Sequence, residues 1–118
     1  MAGPSAWQGA AEEERAMVML EFSLIPLDKG PSIGAQVARS LEVIDESGVD
    51  YRLGPMGTVL EGTWDEVFGV VKRCFDRVAA ESERMAIVIK VDYRKGARGR
   101  LADRVERVEA RVGRKLRT

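Results

Sequence analysis

Hydrophobic and polar residues alternate in the segment 17–26 (MVMLEFSLIP), and this pattern predicts a β-strand. Its apolar side chains, centred on Phe22, fall on one side, whereas Glu21 and Ser23 fall on the other, because successive side chains of a strand point in opposite directions. The apolar side predicts one wall of a hydrophobic core. The other side places a carboxylate and a hydroxyl in the middle of a sheet face, where solvent, a second subunit or a ligand can use them.

Three further strands are predicted at 49–53, 58–62 and 85–93. The first two are joined by the short segment 54–57 (GPMG), whose glycines and proline are typical of a tight turn. In the last strand, one side carries the side chains of Val88, Lys90 and Asp92.

Apolar residues that recur every three or four positions predict helices between these strands. Ser32 is the expected N-cap of the first helix, and Gly48 suits a left-handed cap at its end. Thr63 and Glu66 form a predicted capping box at the start of the second helix, whose apolar stripe includes Cys74. A last helix is predicted by a stripe that follows Gly99 and consists of Leu101, Val105, Val108, Val112 and Leu116.

The order βαββαβ, followed by an extra C-terminal helix, predicts an α+β fold of the ferredoxin-like type. In such a sandwich the four-stranded antiparallel sheet has its first and third strands at the centre, and both connecting helices cover one face. Residues 1–15 are small, polar and aperiodic, which predicts a flexible tail before a single domain at 16–118. The open sheet face is expected to present Met19, Glu21, Ser23, Val88, Lys90 and Asp92. Because this face mixes apolar side chains with central polar ones, we expect a homodimer or tetramer joined through sheet faces.

Composition restricts the possible chemistry. The chain has 118 residues, no histidine, no asparagine and a single cysteine. The commonest general base and zinc ligand are therefore missing, as are an internal disulfide and the asparagine that a ferredoxin-like acyl phosphatase needs. No apolar run approaches the roughly 18 residues of a membrane span, and the first residues do not form a secretory signal. We expect a cytoplasmic protein that is not an enzyme.

Charge is distributed unevenly along the chain, although the net charge is zero. Residues 1–93 contain 9 basic and 16 acidic side chains, whereas residues 94–118 contain 10 basic and 3 acidic ones. One hypothesis is therefore a nucleic-acid-binding module that uses the basic C-terminal helix. Against it, pairs such as Asp103 with Arg107 are typical of a solvated helix face, and only Tyr93, at the edge of the open face, offers an aromatic ring there.

Three segments closely resemble motifs of the small thiamine-binding protein family: MLEFSLIPL at 19–27, YRLGPMGTVLEGTWDEV at 51–67 and IKVDYR at 89–94. The resemblance spans about residues 17–116. It implies a ferredoxin-like fold, dimers that pair into tetramers through their sheets, and binding of thiamine or its hydroxymethylpyrimidine precursor as a carrier or buffer. Thiamine would then be a ligand and not a catalytic cofactor, and no metal is implied.

The same resemblance implies where the ligand binds. A thiamine site needs a carboxylate near the cationic thiazolium, an apolar or aromatic wall, and polar groups for the aminopyrimidine edge. The matching positions are Glu21, Ser23, Tyr51, Met56, Gly57, Thr58, Glu61, Lys90 and Asp92.

Structural roles remain open for several of these residues. Glu21 and Lys90 can form an inter-strand ion pair, and Tyr51 can be a half-buried strand residue. Trp64 can stack on a ligand but is expected to pack at an interface. The alternative to ligand binding is a structural or regulatory homo-oligomer without a small ligand.

Overall fold

The computed structural model describes residues 16–118, and the tail predicted at 1–15 lies outside them. The elements follow the predicted order, with strand and helix bounds close to those expected from the sequence. They are β1 (Met17–Pro26), α1 (Gly34–Ser47), β2 (Asp50–Leu53), β3 (Thr58–Thr63), α2 (Trp64–Ala79), β4 (Met85–Tyr93) and α3 (Arg100–Val112).

The four strands form one antiparallel sheet in the order β2-β3-β1-β4. β1 and β3 are central, and β4 flanks β1, as the sequence predicts. The register aligns Phe22 of β1 with Thr58 of β3 and with Ile89 of β4. The α+β, ferredoxin-like arrangement with an additional C-terminal helix is thereby confirmed.

The hydrophobic core lies between one sheet face and the helices α1 and α2. Leu20 and Leu60 on the sheet meet Ile44 of α1 and Val67 of α2, and all four are fully buried. Burying each such side chain contributes about 1.5–3 kcal/mol to stability. Cys74 is also fully buried, which confirms its predicted core position.

Local signals determine the end of α1 and the start of α2. Thr63 Oγ1 accepts the Glu66 N–H at 3.3 Å, and Glu66 Oε1 accepts the Thr63 N–H at 2.8 Å, so the predicted capping box is present. Gly48 closes α1 with a φ of 78°, a left-handed conformation that suits glycine. The prediction that Ser32 caps α1 is wrong. Ile33 occupies the N-cap, so the Ser32 hydroxyl lies one residue too early to accept a first-turn N–H.

The second sheet face is only partly open, which corrects the prediction for that face. α3 contacts β3 and β2, and it covers the central part of one row of side chains that runs across the sheet. This row consists of Asp50, Glu61, Met19 and Asp92, in register on the four strands. Met19 and Glu61 are buried there, whereas the neighbouring rows that contain Glu21 and Ser23 are not covered.

The apolar stripe of α3 is incompletely packed. Val108 and Val112, in the second half of the helix, each keep 50% of their surface exposed. Between residues 16 and 118, no helix has the length and apolar character that a membrane crossing requires.

Candidate functional site

A cavity of about 260 Å³ lies at one end of the sheet, between the second half of β1, the helix α1 and the turn that joins β2 to β3. Most of its wall is hydrocarbon, because the core stripe of α1 and the apolar side of β1 converge on it. Three hydroxyl residues complete the wall: Ser23, Ser40 and Thr58. None of the lining residues is ionisable at neutral pH.

Two of these hydroxyl residues are buried. Ser40 on α1 and Thr58 at the start of β3 expose only 6% and 5% of their surface. Within residues 16–118, neither side-chain hydroxyl forms a hydrogen bond; the Ser40 carbonyl, by contrast, accepts the Cys74 thiol at 3.5 Å. Both residues line the cavity and neither hydroxyl oxygen is itself fully buried, so these two groups can donate to or accept from a ligand there.

The turn between β2 and β3 shapes the mouth of the cavity. The Gly54 N–H donates to the Gly57 carbonyl at 2.8 Å, and a Cβ added at Gly54 would lie 2.9 Å from that same oxygen. A side chain at this position would therefore force the turn open. Met56, at the tip of the turn, lines the cavity and is almost fully exposed, so its side chain lies at the entrance.

Glu21 does not line the cavity, but it lies beside Gly57, which does. A Cβ at Gly57 would approach the Phe22 carbonyl oxygen to 3.2 Å and Glu21 Cγ to 3.5 Å, which shows how closely β1 and the turn meet. Lys90 is the register partner of Glu21 on β4. Neither side chain takes part in an ion pair in the described part of the chain, so the Glu21 carboxylate remains available to a cationic group.

Two of the predicted site residues, Glu61 and Asp92, contact α3. The Glu61 carboxylate accepts the backbone N–H groups of Arg100 and Leu101, at 2.8 and 3.2 Å. Asp92 Oδ2 accepts Arg100 Nη2 at 3.0 Å and Arg104 Nη1 at 2.8 Å, and these hydrogen bonds, that from Arg100 first, hold the pKa of Asp92 below its usual value. Both carboxylates lie on the sheet face opposite the core, away from the cavity.

The predicted aromatic candidates also lie elsewhere. The Tyr51 hydroxyl donates to Asp45 Oδ1 at 2.9 Å, a bond that raises the pKa of Tyr51. Trp64 packs on Phe68, with 4.4 Å between the ring centroids. The aromatic side chain that does line the cavity is Phe22.

The structure thus brings Ser23, Met56, Gly57 and Thr58 together, with Glu21 beside them, and does not place the remaining predicted residues on the cavity. Sequence reasoning missed Ser40. Its signal is a hydroxyl that interrupts the apolar stripe of α1 between Val37 and Ile44. Over residues 16–118, no group of three or more acidic or cysteine side chains is arranged to hold a metal ion.

The chain is similar in sequence and in structure to known proteins. Residues 20–109 match a family described as thiamine-binding protein. A UPF0045 protein of Mycobacterium bovis is 40% identical over 93 residues, which are 78% of this chain and 91% of that protein. A hypothetical protein of Methanocaldococcus jannaschii has a similar crystal structure, with a TM-score of 0.69 and 32% identity over 82% of this chain and 96% of that one.

A more distant crystal structure has the same fold. It is a candidate thiamine biosynthesis or salvage protein of Thermotoga maritima, with a TM-score of 0.69 and 22% identity over 78% of this chain and 98% of that one. The family match itself runs from β1 into α3 and includes every strand of the sheet. The chain therefore belongs to the thiamine-binding protein family.

Proposed function

We propose that the protein binds thiamine, or the hydroxymethylpyrimidine part of it, in the cavity beside β1 and releases it unchanged. The observation that carries this proposal is the pair of hydroxyls of Ser40 and Thr58, which form no hydrogen bond within residues 16–118 and lie on a largely apolar wall. Family membership supports the same class of ligand.

The chemistry of the cavity matches the two halves of thiamine. A flat heterocycle can lie against the hydrocarbon wall, while the hydroxyls and the backbone of the turn bond to the pyrimidine nitrogens and amino group. The Glu21 carboxylate, beside the turn residue Gly57, can attract the cationic thiazolium where that ring extends past the turn. A volume near 260 Å³ lies just below the usual range of about 300–1,000 Å³ for ligand sites, which favours one small heterocycle over a large cofactor.

The side chains at the cavity also support a carrier role. Proton transfer and nucleophilic attack need an ionisable or activated group beside the substrate, and the lining consists of hydrocarbons and neutral hydroxyls. Cys74 lies in the core, where burial raises the pKa of its thiol to about 11. The cavity is suited to hold a ligand and then release it.

The test is a calorimetric titration with thiamine, hydroxymethylpyrimidine and thiamine diphosphate. Ser40→Ala and Thr58→Val each remove one hydroxyl and should lower the affinity for the ligand up to about tenfold. Because neither hydroxyl has a protein partner, the midpoint of thermal unfolding should be unchanged or slightly higher. Ser32→Ala removes an exposed hydroxyl outside the cavity and serves as the matched control.

The proposal has two ways to fail. Wild-type protein that shows no saturable binding of any of the three compounds would exclude this ligand class. Variants that bind as tightly as wild type, or that lose stability while keeping their affinity, would show that Ser40 and Thr58 are structural groups and that the ligand sits elsewhere.

We also propose that two copies of the chain associate through the part of the sheet face that α3 leaves uncovered. We call this area the uncovered strip, and its residues are Glu21, Ser23, Ile25, Ala86, Val88 and Lys90. Val88 exposes 65% of its surface at the centre of the strip. β4 is also an edge strand with an unpaired side, and such edges favour pairing with another chain.

A further inference from the structure

A second cavity, of about 550 Å³, lies between the loop that follows β4 and the first half of α3. We call it the basic cavity. A single carboxylate, that of Asp103, stands among its lining side chains. Six basic residues line it: Arg94, Lys95, Arg98, Arg100, Arg104 and Arg107.

The backbone explains why these charges meet. Gly96 and Gly99 adopt left-handed conformations, with φ of 76° and 64°, and the Ala97 N–H donates to the Arg94 carbonyl at 3.1 Å. The loop therefore turns back tightly and places residues 94 and 95 beside α3. Positions 100, 104 and 107 share one face of that helix, because three- and four-residue spacings bring side chains together. Loop and helix thus form two sides of one concave surface.

Ion pairs orient part of this surface in advance. From the sheet, the Asp92 carboxylate forms ion pairs with Arg100 and Arg104. On α3 itself, Asp103 forms an ion pair with Arg107 at 3.0 Å. Arg100 is only 14% exposed in its side chain, and its buried Nη1 has no hydrogen-bond partner in the described part of the chain. A guanidinium held in this way has lost most of its rotamer freedom before any ligand arrives, which lowers the entropy cost of binding.

Part of the positive charge of this surface has no paired carboxylate within residues 16–118. Arg94 and Lys95 are exposed and take part in no ion pair within the described chain. Asp92 and Asp103 pair with Arg100, Arg104 and Arg107, and Arg94 and Lys95 add two further positive charges to the surface. Like charges held together in a concavity concentrate positive potential and attract an anion.

We propose that the basic cavity binds a compact phosphate-bearing anion, a single phosphate or a diphosphate group. Arginine forks match phosphate oxygens with paired, charge-assisted hydrogen bonds, and Lys95 adds a mobile point charge at the rim. Among residues 16–118, no aromatic side chain lines it. Single-stranded nucleic acid is held largely by stacking on such rings, so the geometry favours a small anion over a nucleic acid.

This site is distinct from the proposed thiamine cavity. Val18 of β1 pairs with Tyr93, which directly precedes the basic loop, whereas the thiamine cavity begins at Phe22 and Thr58. The two cavities thus lie toward opposite ends of β1. Binding at one can be measured without binding at the other.

The test titrates the full chain with sodium diphosphate and, separately, with inorganic phosphate, by calorimetry at low ionic strength. The double variant Arg94→Ala/Lys95→Ala should lower the affinity for diphosphate at least about tenfold. Lys29→Ala/Arg73→Ala is the matched control, because it removes two exposed positive charges outside the cavity and should change the affinity less than about twofold. If the first variant folds poorly, Arg94→Gln/Lys95→Gln replaces it.

These measurements distinguish a phosphate site from a diffuse charge effect and from a nucleic-acid site. Equal loss of affinity in both double variants would reveal a diffuse charge effect and overturn it, as would the absence of saturable diphosphate binding by folded protein. A single-stranded oligonucleotide that binds through Arg94 and Lys95 and that diphosphate does not displace would assign the surface to nucleic acid instead. Unchanged thiamine binding in the Arg94→Ala/Lys95→Ala variant would support two separate sites.

Discussion

The carboxylate of Glu61 on β3 caps α3 by accepting the backbone N–H of Arg100 at 2.8 Å. The N-cap position itself is occupied by Gly99, which has no side chain to satisfy the first N–H groups of the helix. A residue 39 positions earlier in the chain therefore supplies the cap. Glu61 is only 4% exposed, so the docking of α3 on the sheet and the burial of this carboxylate depend on each other.

Replacing Glu61 should release α3 from the sheet. Glu61→Ala leaves two helix N–H groups without their acceptor and should lower the free energy of unfolding by about 1–3 kcal/mol. Amide hydrogen exchange should become faster at the start of α3 and stay slow in β1. Glu106→Ala, on the exposed side of the same helix, is the control and should change little. Unaltered exchange in Glu61→Ala would mean that α3 is held by other contacts.

Acid should loosen the same helix through Asp92. The hydrogen bonds from Arg100 and Arg104 lower the pKa of Asp92 in the folded protein, whereas in the unfolded chain it titrates near about 3.9. The stabilisation is therefore present above about pH 4 and is lost as the pH falls through the lowered pKa. Hydrogen exchange of α3, corrected for intrinsic rates, should rise in that window.

Asp92→Asn should remove this pH-dependent step, because the amide does not titrate. Glu46→Gln, at the end of α1, provides a control carboxylate outside the α3 contacts and should leave the step in place. A step that persists in Asp92→Asn would assign the acid response to another carboxylate.

Strand bounds and helix caps could be predicted from the sequence where they depend only on residues close together in the chain. β1 and β4 have the predicted bounds because alternation is decided within each strand, and the Thr63 capping box needs only four consecutive residues. Ser32 shows that such signals do not always locate a helix start to the residue, because the N-cap of α1 is Ile33, one position later.

The site was less accessible to sequence reasoning. The motif that contains Glu61 does not reveal that α3 folds back onto this carboxylate, so its hydrogen bond to the helix could not be predicted. Ser40 looked like an ordinary helix residue, because only the tertiary packing of α1 beside the turn makes its hydroxyl part of a cavity. Contacts between elements distant in sequence decide both cases.

Glycine at position 54 should be required for the turn at the cavity mouth. In Gly54→Ala the new Cβ would lie 2.9 Å from the Gly57 carbonyl oxygen, so the turn must open and its 2.8 Å hydrogen bond is lost. We expect a loss of about 1–3 kcal/mol in the free energy of unfolding, measured by urea denaturation, together with weaker thiamine binding.

Gly69→Ala is the matched control for that substitution. Gly69 lies within α2, and an added Cβ would contact nothing within 4 Å. The substitution should stabilise the protein by about 0.5–1 kcal/mol, because alanine favours the helix. If Gly54→Ala behaved in the same way, the turn would be more adaptable than its close contact implies.

Alkaline pH should destabilise the fold through Cys74. Burial raises the pKa of this thiol to about 11, whereas a cysteine in the unfolded chain titrates near about 8.5. The protonated Cys74 thiol contributes fully to the free energy of unfolding below about pH 8.5. This contribution is lost as the pH rises towards 11, because the thiol of the unfolded chain releases its proton at a lower pH than that of the folded protein. Urea midpoints should fall across this window in wild type and less steeply in Cys74→Ala. If the urea midpoints of the two proteins fell equally steeply with pH, the alkaline loss of stability would come from tyrosines and lysines.

Val88 should be the most sensitive position for self-association. Its side chain is 65% exposed in the uncovered strip, and Val88→Asp would place a charge where the proposed interface excludes water. We expect light scattering coupled to size exclusion to show a dimer or tetramer for wild type and a smaller species for Val88→Asp, with unchanged circular dichroism. Val112→Asp is the control, because Val112 is 50% exposed on α3, outside the strip. If only Val112→Asp dissociates the oligomer, the interface is the apolar stripe of α3 and not the sheet. If the wild-type protein is a monomer, neither surface is an interface.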